Sequence, residues 1–337
     1  MYKSIIRPIL FRFPAEKAHH LTFAGLNLLS ALPLVKRMMK ARVPKVKSTN
    51  LFGIEFPNPI GLAAGLDKNA LLIDSWEMFG FGFIELGTIT PLAQDGNPQP
   101  RLFRIPQDKA LINRMGFNND GMLVIAERLK NRTSKIIVGG NIGKNKITPN
   151  EDAASDYVKC FETLYPYVDY FVCNVSSPNT PGLRALQEKG PLLELLNVVQ
   201  AANSKKEKPK PILLKIAPDL TAEAILEIVD ILHESKLDGV IATNTTIDRT
   251  ALTCGAERID QIGAGGLSGA PLTNKATEVV RLLRQHTSLP IIASGGIMTA
   301  DDAMAKFDAG ANLVQLYTGF IYEGPALVQQ ILKRLPK

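Results

Sequence analysis

Eight short apolar runs recur between residues 59 and 318, and longer stretches with helical periodicity separate them. Nearly continuous apolar runs are typical of parallel strands that are covered on both faces. Eight such strands alternating with helices over about 280 residues predict an α/β fold, the (β/α)8 TIM barrel. A doubly wound open sheet is the alternative, but no GxGxxG motif follows the first run. The predicted strands are 59–65, 83–90, 135–142, 170–177, 211–217, 239–245, 290–296 and 313–318.

The N-terminal region differs from this body and is predicted to be a small helical extension, residues 1–45, before a barrel domain of residues 46–337. Residues 18–35 are uncharged at neutral pH and long enough to be a transmembrane candidate. Wound as a helix, however, they separate into an apolar and a polar side, which indicates an amphipathic helix. The apolar side carries Leu21, Ala24, Leu28, Leu29, Leu32 and Val35, and the polar side carries His19, His20, Thr22, Asn27 and Ser30.

The positive charge of the chain is concentrated in this extension. Residues 1–50 hold ten basic residues and one acid, Glu16, so the segment carries +9, while the remaining residues carry −2. Basic amphipathic helices are typical of proteins that lie on an anionic bilayer. The alternative is a helical cap that packs on the protein's own core, and the residues alone leave both interpretations open.

The composition excludes several other classes of protein. The chain has 337 residues, of which 45% are hydrophobic and 21% charged, as in ordinary globular proteins. Its three cysteines are odd in number and far apart, which argues against a disulfide framework or a CxxC zinc site. With only four histidines, we expect no metal site.

Polar residues follow the predicted strands, at the end of a barrel where active sites lie. Lys68 follows the first strand and Lys215 lies within the fifth, although lysine is rarely buried without a partner. One interpretation is Schiff-base catalysis. The other is a fixed positive charge beside a cofactor that carries negative charge, such as a reduced flavin. In sequence, the nearest acids to these lysines are Asp67 and Asp219.

Three glycine-rich segments, 263–269, 294–296 and 317–319, are predicted to meet at the same rim. Loops near the last strands of barrels often bind phosphate through backbone amides, and glycine lets the backbone approach closely. Any one of these segments alone would favour a tight turn. Their convergence favours a phosphate site.

The segment NVSSPNTPGLR, residues 174–184, carries the densest polar signal. Pro178 and Pro181 stiffen a loop that holds the hydroxyl of Ser177 between amides. Asn113 and Asn244 add amides from other loops, and amides complement a heterocycle with lactam and imide groups. This pattern favours an acid–base hydroxyl beside a polar ring, and an asparagine-rich turn is the alternative.

Nine motifs in order give the chain its resemblance to a known family, the dihydroorotate dehydrogenases. The motifs are GLAAGLDKN (61–69), ELGTITP (85–91), NRMGFNN (113–119), NIGKNK (141–146), NVSSPNTPGLR (174–184), KIAPDL (215–220), IATNTT (241–246), GGLSG (265–269) and LYTGF (316–320). The sequence is most similar to class 2, the membrane-associated, quinone-reducing members. These have a serine base, here Ser177, where the cytosolic class has cysteine, and they have an N-terminal helical extension.

The resemblance implies an FMN enzyme that oxidises (S)-dihydroorotate to orotate in pyrimidine biosynthesis. Ser177 would remove the proton from C5 while hydride leaves C6 for N5 of the flavin, with Thr180 and Phe117 beside the serine. The implied substrate-binding residues are Lys68, Asn113, Arg114, Met115, Gly116, Phe117, Asn174, Asn179, Asn244 and Thr245. The implied FMN-binding residues are Ala64, Gly65, Leu66, Asp67, Lys68, Thr88, Asn141, Asn174, Lys215, Thr243, Gly269, Gly296, Tyr317 and Thr318.

The electron acceptor implied by the resemblance is a membrane quinone, either ubiquinone or menaquinone. His19 and Arg104 match positions that line the quinone tunnel in the family. We therefore expect a peripheral protein on the cytoplasmic face of a bacterial inner membrane. We also expect a monomer that contacts an anionic membrane surface and has no nucleic-acid partner.

Two other hypotheses make different predictions. A cytosolic flavin dehydrogenase that uses fumarate or nicotinamide would have cysteine at position 177 and no basic extension, whereas this chain has Ser177 and the extension. A membrane- or nucleic-acid-binding protein that uses the barrel only as a scaffold would purify without a yellow flavin.

Overall fold

The strands of the computed structural model, which describes residues 2–180 and 182–337, form a barrel and two small sheets. They are β1 (Thr49–Leu51), β2 (Ile54–Phe56), β3 (Ile60–Leu62), β4 (Phe83–Ile89), β5 (Leu102–Ile105), β6 (Ala110–Asn113), β7 (Ile137–Ile142), β8 (Tyr170–Asn174), β9 (Ile212–Ile216), β10 (Gly239–Ala242), β11 (Gly266–Gly269), β12 (Ile291–Ser294) and β13 (Leu313–Leu316).

Eight parallel strands close the barrel in the order in which they occur along the chain: β3, β4, β7, β8, β9, β10, β12 and β13. This confirms the predicted (β/α)8 TIM barrel, and each strand lies within one of the eight predicted apolar runs. The strands are shorter than those runs. At their carboxyl ends, the polar and glycine residues turn away from the sheet into the loops of the cavity described below.

The helices cover the outside of the barrel and form the extension. They are α1 (Arg7–Leu10), α2 (Ala15–Ser30), α3 (Pro33–Ala41), α4 (Met122–Lys130), α5 (Ala153–Leu164), α6 (Lys189–Ser204), α7 (Ala222–Glu234), α8 (Ala256–Ile262), α9 (Thr273–His286), α10 (Ala300–Asp308), α11 (Thr318–Glu323) and α12 (Pro325–Leu332). Between β3 and β4 the crossover is a short 3₁₀ helix, Trp76–Phe79, rather than an α-helix.

The two largest clusters of buried apolar side chains occupy separate regions. The larger core lies between the barrel and its helices and includes Trp76, Phe161 and Phe171. A second cluster closes one end of the barrel interior, where Phe56 from the β1–β2 hairpin packs on the ring of Phe83 at 5.3 Å. With this end closed by apolar packing, the polar side chains of the interior lie toward the opposite rim.

A three-stranded antiparallel sheet, in the order β11–β6–β5, was not predicted from the sequence. The segment 263–269, which we interpreted as a glycine-rich loop, contributes β11 to this sheet. Asn113, at the end of β6, pairs with Gly266 at the start of β11. The sheet therefore holds Asn113 and Gly269 in fixed register beside the cavity.

The extension docks on the barrel through the side of α2 that the sequence suggested was polar. Phe23 and Ala18 are the buried residues of α2, and the Phe23 ring lies 6.1 Å from that of Trp76. The predicted apolar side remains exposed, with Leu28 72% and Leu32 50% accessible. Hydrophobic periodicity identified the amphipathic helix, but it did not show which side would face the protein.

The helix predicted over 18–35 is interrupted at residues 31–32, and α2 and α3 bend there by 98°. None of the helices in the described ranges is individually long and apolar enough to cross a membrane. Taken together, the bent pair α2–α3 meets that test by length and composition alone.

Candidate active site

An open cavity lies at the carboxyl ends of the barrel strands and collects residues from seven of them or their loops. It is lined by Ala63, Ala64, Gly65, Lys68, Gly87, Thr88, Asn113, Met115, Gly116, Phe117, Asn174, Ser177, Asn179, Lys215, Thr243, Asn244, Thr245, Ser268, Gly269, Leu272, Ser294, Gly295, Gly296, Ile297, Met298, Gln315, Tyr317, Thr318 and Gly319.

Most of the residues that the sequence predicted for the site lie on this lining. The catalytic and substrate candidates that line it are Ser177, Phe117, Lys68, Asn113, Met115, Gly116, Asn174, Asn179, Asn244 and Thr245. The cofactor candidates that line it are Ala64, Gly65, Lys68, Thr88, Asn174, Lys215, Thr243, Gly269, Gly296, Tyr317 and Thr318. Five candidates, Thr180, Arg114, Leu66, Asp67 and Asn141, are not part of the lining.

Leu66 and Asp67 stabilise the loop after β3 from the side that faces away from the cavity. Leu66 belongs to the apolar core. The Asp67 carboxylate accepts hydrogen bonds from the backbone N–H groups of Leu71 and Leu72 (2.7 and 2.9 Å) and from Trp76 Nε1 (2.9 Å). Asp67 is therefore not the partner of Lys68. It fixes the shape of the loop that carries Lys68 to the cavity.

The other three candidates outside the lining contact the protein rather than the cavity. The Arg114 guanidinium donates to the backbone oxygens of Ile262 and Ala264, and lies 4.5 Å from the Phe103 ring. Thr180 Oγ1 is buried without a hydrogen-bond partner among the residues described. Its neighbour Pro181 lies outside the described residues. Asn141 belongs to a buried network below the cavity.

Amide side chains in and around the cavity hold one another in place. Asn174 Nδ2 donates to Thr88 Oγ1 at 2.7 Å, and Thr88 Oγ1 donates to Asn141 Oδ1 at 2.6 Å. Asn179 Nδ2 donates to Asn113 Oδ1 at 3.0 Å. Because these amides and the Thr88 hydroxyl come from four different strand ends, these contacts give the cavity a fixed pattern of donors and acceptors.

Ser177 lies just after β8 with its side chain at the cavity, and the residue is only 6% accessible. Its Oγ accepts a hydrogen bond from the Asn179 backbone N–H at 3.2 Å. Among the described residues, no histidine or carboxylate is hydrogen-bonded to this hydroxyl. The arrangement is therefore not a Ser–His nucleophile pair, and it leaves the hydroxyl available to exchange a proton with a bound molecule.

The two cavity lysines have different environments. Lys68 Nζ donates to Asn118 Oδ1 at 2.7 Å, and its pKa is lowered to about 8, first by burial and then by the positive charge of Arg101. Lys215 Nζ is paired with Glu85 Oε1 at 3.0 Å inside the barrel. Asp219, its nearest acid in sequence, instead pairs with Lys275 and Arg184.

Several residues that shape the site were not predicted from the sequence. Glu85 lies under the cavity and accepts a hydrogen bond from Gln315, which lines it. Asn97 Nδ2 joins two loops by donating to the backbone oxygens of Arg114 (3.0 Å) and Asn179 (3.2 Å). Glu85 could have been found by the reasoning that singled out Lys215. An acid in one apolar strand and a lysine in another are candidates for a buried pair.

The extension contacts the barrel domain at β5 and at Arg101, the residue before it. Glu16 of α2 forms an ion pair with Arg101 at 2.7 Å. Arg104 donates to the backbone oxygen of Leu10 at 3.3 Å, and its guanidinium lies 4.5 Å from the Phe11 ring. The His19 ring lies 4.1 Å from that of Phe23. His19 and Arg104, the two predicted tunnel residues, thus both lie at the junction between extension and barrel.

We expect acid to weaken the docking of α2 through His19. Burial, followed by the charge of Lys68, lowers the pKa of His19 to about 3 from 6.5. Between these values the released side chain binds a proton and the docked one does not, so docking weakens as pH falls below about 6.5. At pH 5 the penalty is about 2 kcal/mol. Fluorescence of Trp76, the only tryptophan, should report the release because Trp76 packs on Phe23.

The matched variants for this titration are His19→Asn and His20→Asn. The first should remove the pH dependence between 6.5 and 5, whereas the second, in an exposed neighbouring side chain, should retain it. An unchanged titration in His19→Asn would show that another group controls docking.

The fold and the cavity define a class of protein: an enzyme of the (β/α)8 barrel type whose polar groups meet at the carboxyl ends of the strands. The family model described as dihydroorotate dehydrogenase matches residues 46–337. The chain therefore belongs to the dihydroorotate dehydrogenase family, and the resemblance seen in its motifs is confirmed.

Individual relatives support the same assignment. A protein of Christiangramia forsetii named dihydroorotate dehydrogenase (quinone) is 53% identical, with 99% of this chain and 98% of the relative covered. One of Dichelobacter nodosus with the same name is 49% identical, covering 97% of this chain and 96% of the relative. The crystal structure of DHODH from Eimeria tenella in complex with ferulenol is similar with a TM-score of 0.81 and 37% identity, covering 94% of this chain and 89% of that one.

Proposed function

We propose that this chain oxidises (S)-dihydroorotate to orotate with bound FMN and passes the electrons to a membrane quinone, the redox step of pyrimidine biosynthesis. The observation that carries the proposal is the cavity itself, where Ser177, Lys68 and Lys215 are combined with four asparagines. The quinone-dependent name of relatives that cover nearly the whole chain supports the acceptor.

The residues of the cavity fit FMN. Gly269, Gly295 and Gly296 line the wall, and glycine allows a phosphate to approach the backbone amides closely. Gly269 and Gly296 have φ of +102° and +74°, and an added Cβ at Gly296 would lie 2.2 Å from Thr273 Cα, so these turns require glycine. Lys215 would hold the ring system, with Thr88 and Asn174 beside it. When bound, FMN supplies the acceptor for the hydride that leaves C6 of the substrate.

Other residues of the cavity wall suit dihydroorotate. Asn113, Asn179 and Asn244 offer amide donors and acceptors that match the lactam and imide groups of the ring. Lys68 supplies a positive charge for the substrate carboxylate. The hydrogen bond between Asn179 and Asn113 holds two of these amides before the substrate arrives, which lowers the ordering cost of binding.

Ser177 is the proposed general base that removes the proton from C5. A hydroxyl is a weak base, so its proton must leave as the C5 proton arrives, and exclusion of water strengthens the interactions that favour this exchange. The burial of Ser177 and the Phe117 ring on the same wall are consistent with such exclusion. The hydroxyl of Thr180, which has no hydrogen-bond partner among the described residues, is available as the next group in a proton relay.

Binding of the product should depend on the charge of Lys68. Because the pKa of Lys68 is lowered to about 8, the side chain is protonated at pH 7 and loses its charge as pH rises above 8. The Kd for orotate, measured from the change in flavin absorbance, should rise about tenfold per pH unit well above pH 8. The Lys68→Met variant should bind weakly at every pH, and an affinity that stays constant in the parent from pH 7 to 10 would contradict this role.

The cofactor and the half-reaction can be tested together. The purified protein should be yellow, and the flavin released by denaturation should be FMN by mass. Anaerobic addition of dihydroorotate should bleach the bound flavin and yield one orotate per flavin. A protein that holds FMN but is not reduced by dihydroorotate would contradict the proposed substrate.

The extension, residues 1–45, is proposed to bind the bilayer and guide the quinone, while residues 46–337 form the FMN domain. Its +9 charge and exposed apolar side chains support a peripheral contact with an anionic membrane, on the cytoplasmic face of the inner membrane of a bacterium. No partner chain is needed for the cavity, which favours a monomer. The exposed apolar side chains are Ile5, Ile6, Ile9, Phe13, Leu21, Leu28, Leu29, Leu32, Leu34 and Met38.

A further inference from the structure

Glu85 is a fully buried carboxylate in the barrel interior, and it accepts hydrogen bonds from three other strands. Its Oε1 accepts from Lys215 Nζ at 3.0 Å and from Asn141 Nδ2 at 2.7 Å, and its Oε2 accepts from Gln315 Nε2 at 2.5 Å. Glu85 lies on β4, Asn141 on β7, Lys215 on β9 and Gln315 on β13. One carboxylate therefore ties together four of the eight barrel strands.

The partners of Glu85 connect it to the floor of the cavity. Lys215 and Gln315 line the cavity directly. Asn141 accepts from Thr88 Oγ1 at 2.6 Å and from Asn174 Nδ2 at 3.2 Å, and both of those residues also line it. Glu85 itself is 0% accessible and does not reach the lining. It cannot contact the substrate, so it acts through other side chains.

The ion pair also determines the charge that Lys215 presents to the cavity. Water does not reach Glu85, so its negative charge is poorly screened and acts strongly on Lys215 at 3.0 Å. A molecule bound above Lys215 meets a lysine whose charge is largely offset by the carboxylate beneath it. Without Glu85, the same lysine would present a nearly full positive charge.

We propose that Glu85 is a positioning residue that holds Lys215 against the cavity floor and sets the reduction potential of the bound flavin by offsetting the lysine charge. This inference rests on the proposed flavin function. A reduced flavin carries negative charge, so a full positive charge at Lys215 would stabilise the reduced form. Because Glu85 offsets the charge of Lys215, the reduced flavin remains a better electron donor to the acceptor that reoxidises it.

Glu85→Gln in the full-length flavin-loaded protein tests the proposal, because it removes the charge and nearly keeps the shape. Sulfite, an anion that adds to oxidised flavin, is the probe, and its affinity is read from the loss of flavin absorbance. We expect about tenfold tighter sulfite binding. The two-electron midpoint potential, measured against reference dyes, should rise by about 30 mV, which is that tenfold change converted. Unchanged affinity and potential with flavin bound would overturn the proposal.

Glu77→Gln is the matched control. Glu77 forms another lysine–glutamate pair, with Lys40 at 2.6 Å, outside the cavity lining. The same substitution there should leave sulfite affinity and potential at the parent values. A shift as large as that of Glu85→Gln would show that the response is not specific to the pair beneath the cavity, and would also overturn the proposal.

A double variant, Glu85→Gln with Lys215→Met, keeps the test decisive if the single variant does not fold. Exchanging both ions for neutral side chains leaves no unpaired buried charge. Because Lys215 is also proposed to hold the flavin ring, FMN content should fall in this variant, and sulfite affinity is measured on the FMN-loaded fraction. If Glu85 offsets Lys215, the two charge losses nearly cancel there, and the affinity should stay within about threefold of the parent. A loss of tenfold or more would mean that Lys215 acts at full charge and would overturn the proposal.

FMN content and flavin reduction in the parent protein distinguish a failure of this inference from a failure of the proposed function. A parent that binds no FMN, or whose FMN is not reduced by dihydroorotate, contradicts the proposed function. A parent that is reduced normally, with Glu85→Gln unchanged in potential, contradicts only the role of Glu85.

Discussion

Replacing Ser177 with alanine is expected to slow reduction of the bound flavin by dihydroorotate by about 10²–10⁴-fold, the usual effect of losing a general base. FMN content and orotate affinity should change little, because the Ser177 hydroxyl has one hydrogen bond in the structure, accepted from the Asn179 backbone. Stopped-flow absorbance of the flavin under anaerobic conditions measures the rate directly. A rate close to that of the parent would contradict the assignment.

Two further serine variants distinguish loss of the base from loss of packing. Ser177→Cys should retain part of the rate, because a thiol can also accept the proton. Ser176→Ala removes the neighbouring hydroxyl, which donates to Asn174 Oδ1 at 3.1 Å and accepts from Asn244 Nδ2 at 3.0 Å. Ser176 does not line the cavity, so its loss removes no base beside the substrate and should cost far less than Ser177→Ala. Equal losses at positions 176 and 177 would indicate a general disturbance of the loop.

Deleting residues 1–45 should separate the two half-reactions. The barrel strands close on one another without the extension, so the truncated protein should fold and retain FMN. Reduction by dihydroorotate should persist, since every cavity-lining residue lies after residue 45. Reoxidation by a long-chain quinone in vesicles should fall by about tenfold or more, because each lost basic residue contributed about 1 kcal/mol to membrane binding. A small water-soluble acceptor should lose much less.

A milder variant controls for the new surface that the deletion exposes around Trp76. The combined replacement of Leu28 and Leu32 by serine alters only exposed side chains and leaves Phe23 docked. It should lower turnover with quinone in vesicles and leave turnover with a soluble acceptor unchanged. If the truncated protein uses the long-chain quinone at the parent rate, the proposed role of the extension is wrong.

The barrel was predictable because parallel strands that are buried on both faces leave continuous apolar runs in the sequence. All eight runs became barrel strands. The sheet formed by β5, β6 and β11 was missed because its strands are four residues each, and β11 begins and ends with glycine. The pairing of β6 with β11 joins segments some 150 residues apart, and local patterns carry no information about such contacts.

The cavity was predictable where function demands an unusual residue in a strand or loop, as with Lys215 or Ser177. The contacts that hold these residues in place were not predictable from the sequence. Lys215 was considered with Asp219, which is near in sequence, whereas its partner is Glu85 from across the barrel. In the same way, Asp67 proved to hold a loop through backbone N–H groups. Such partners depend on the closed barrel and can be recognised only once the strands are assembled.

The most direct test of the account is a parallel assay of dihydroorotate oxidation by the intact protein with a long-chain quinone in anionic vesicles, with fumarate and with NAD⁺. The account predicts rapid orotate formation with quinone alone, inhibited by high salt that releases the basic extension from the membrane. Turnover with fumarate or NAD⁺ that equals or exceeds turnover with quinone would contradict it.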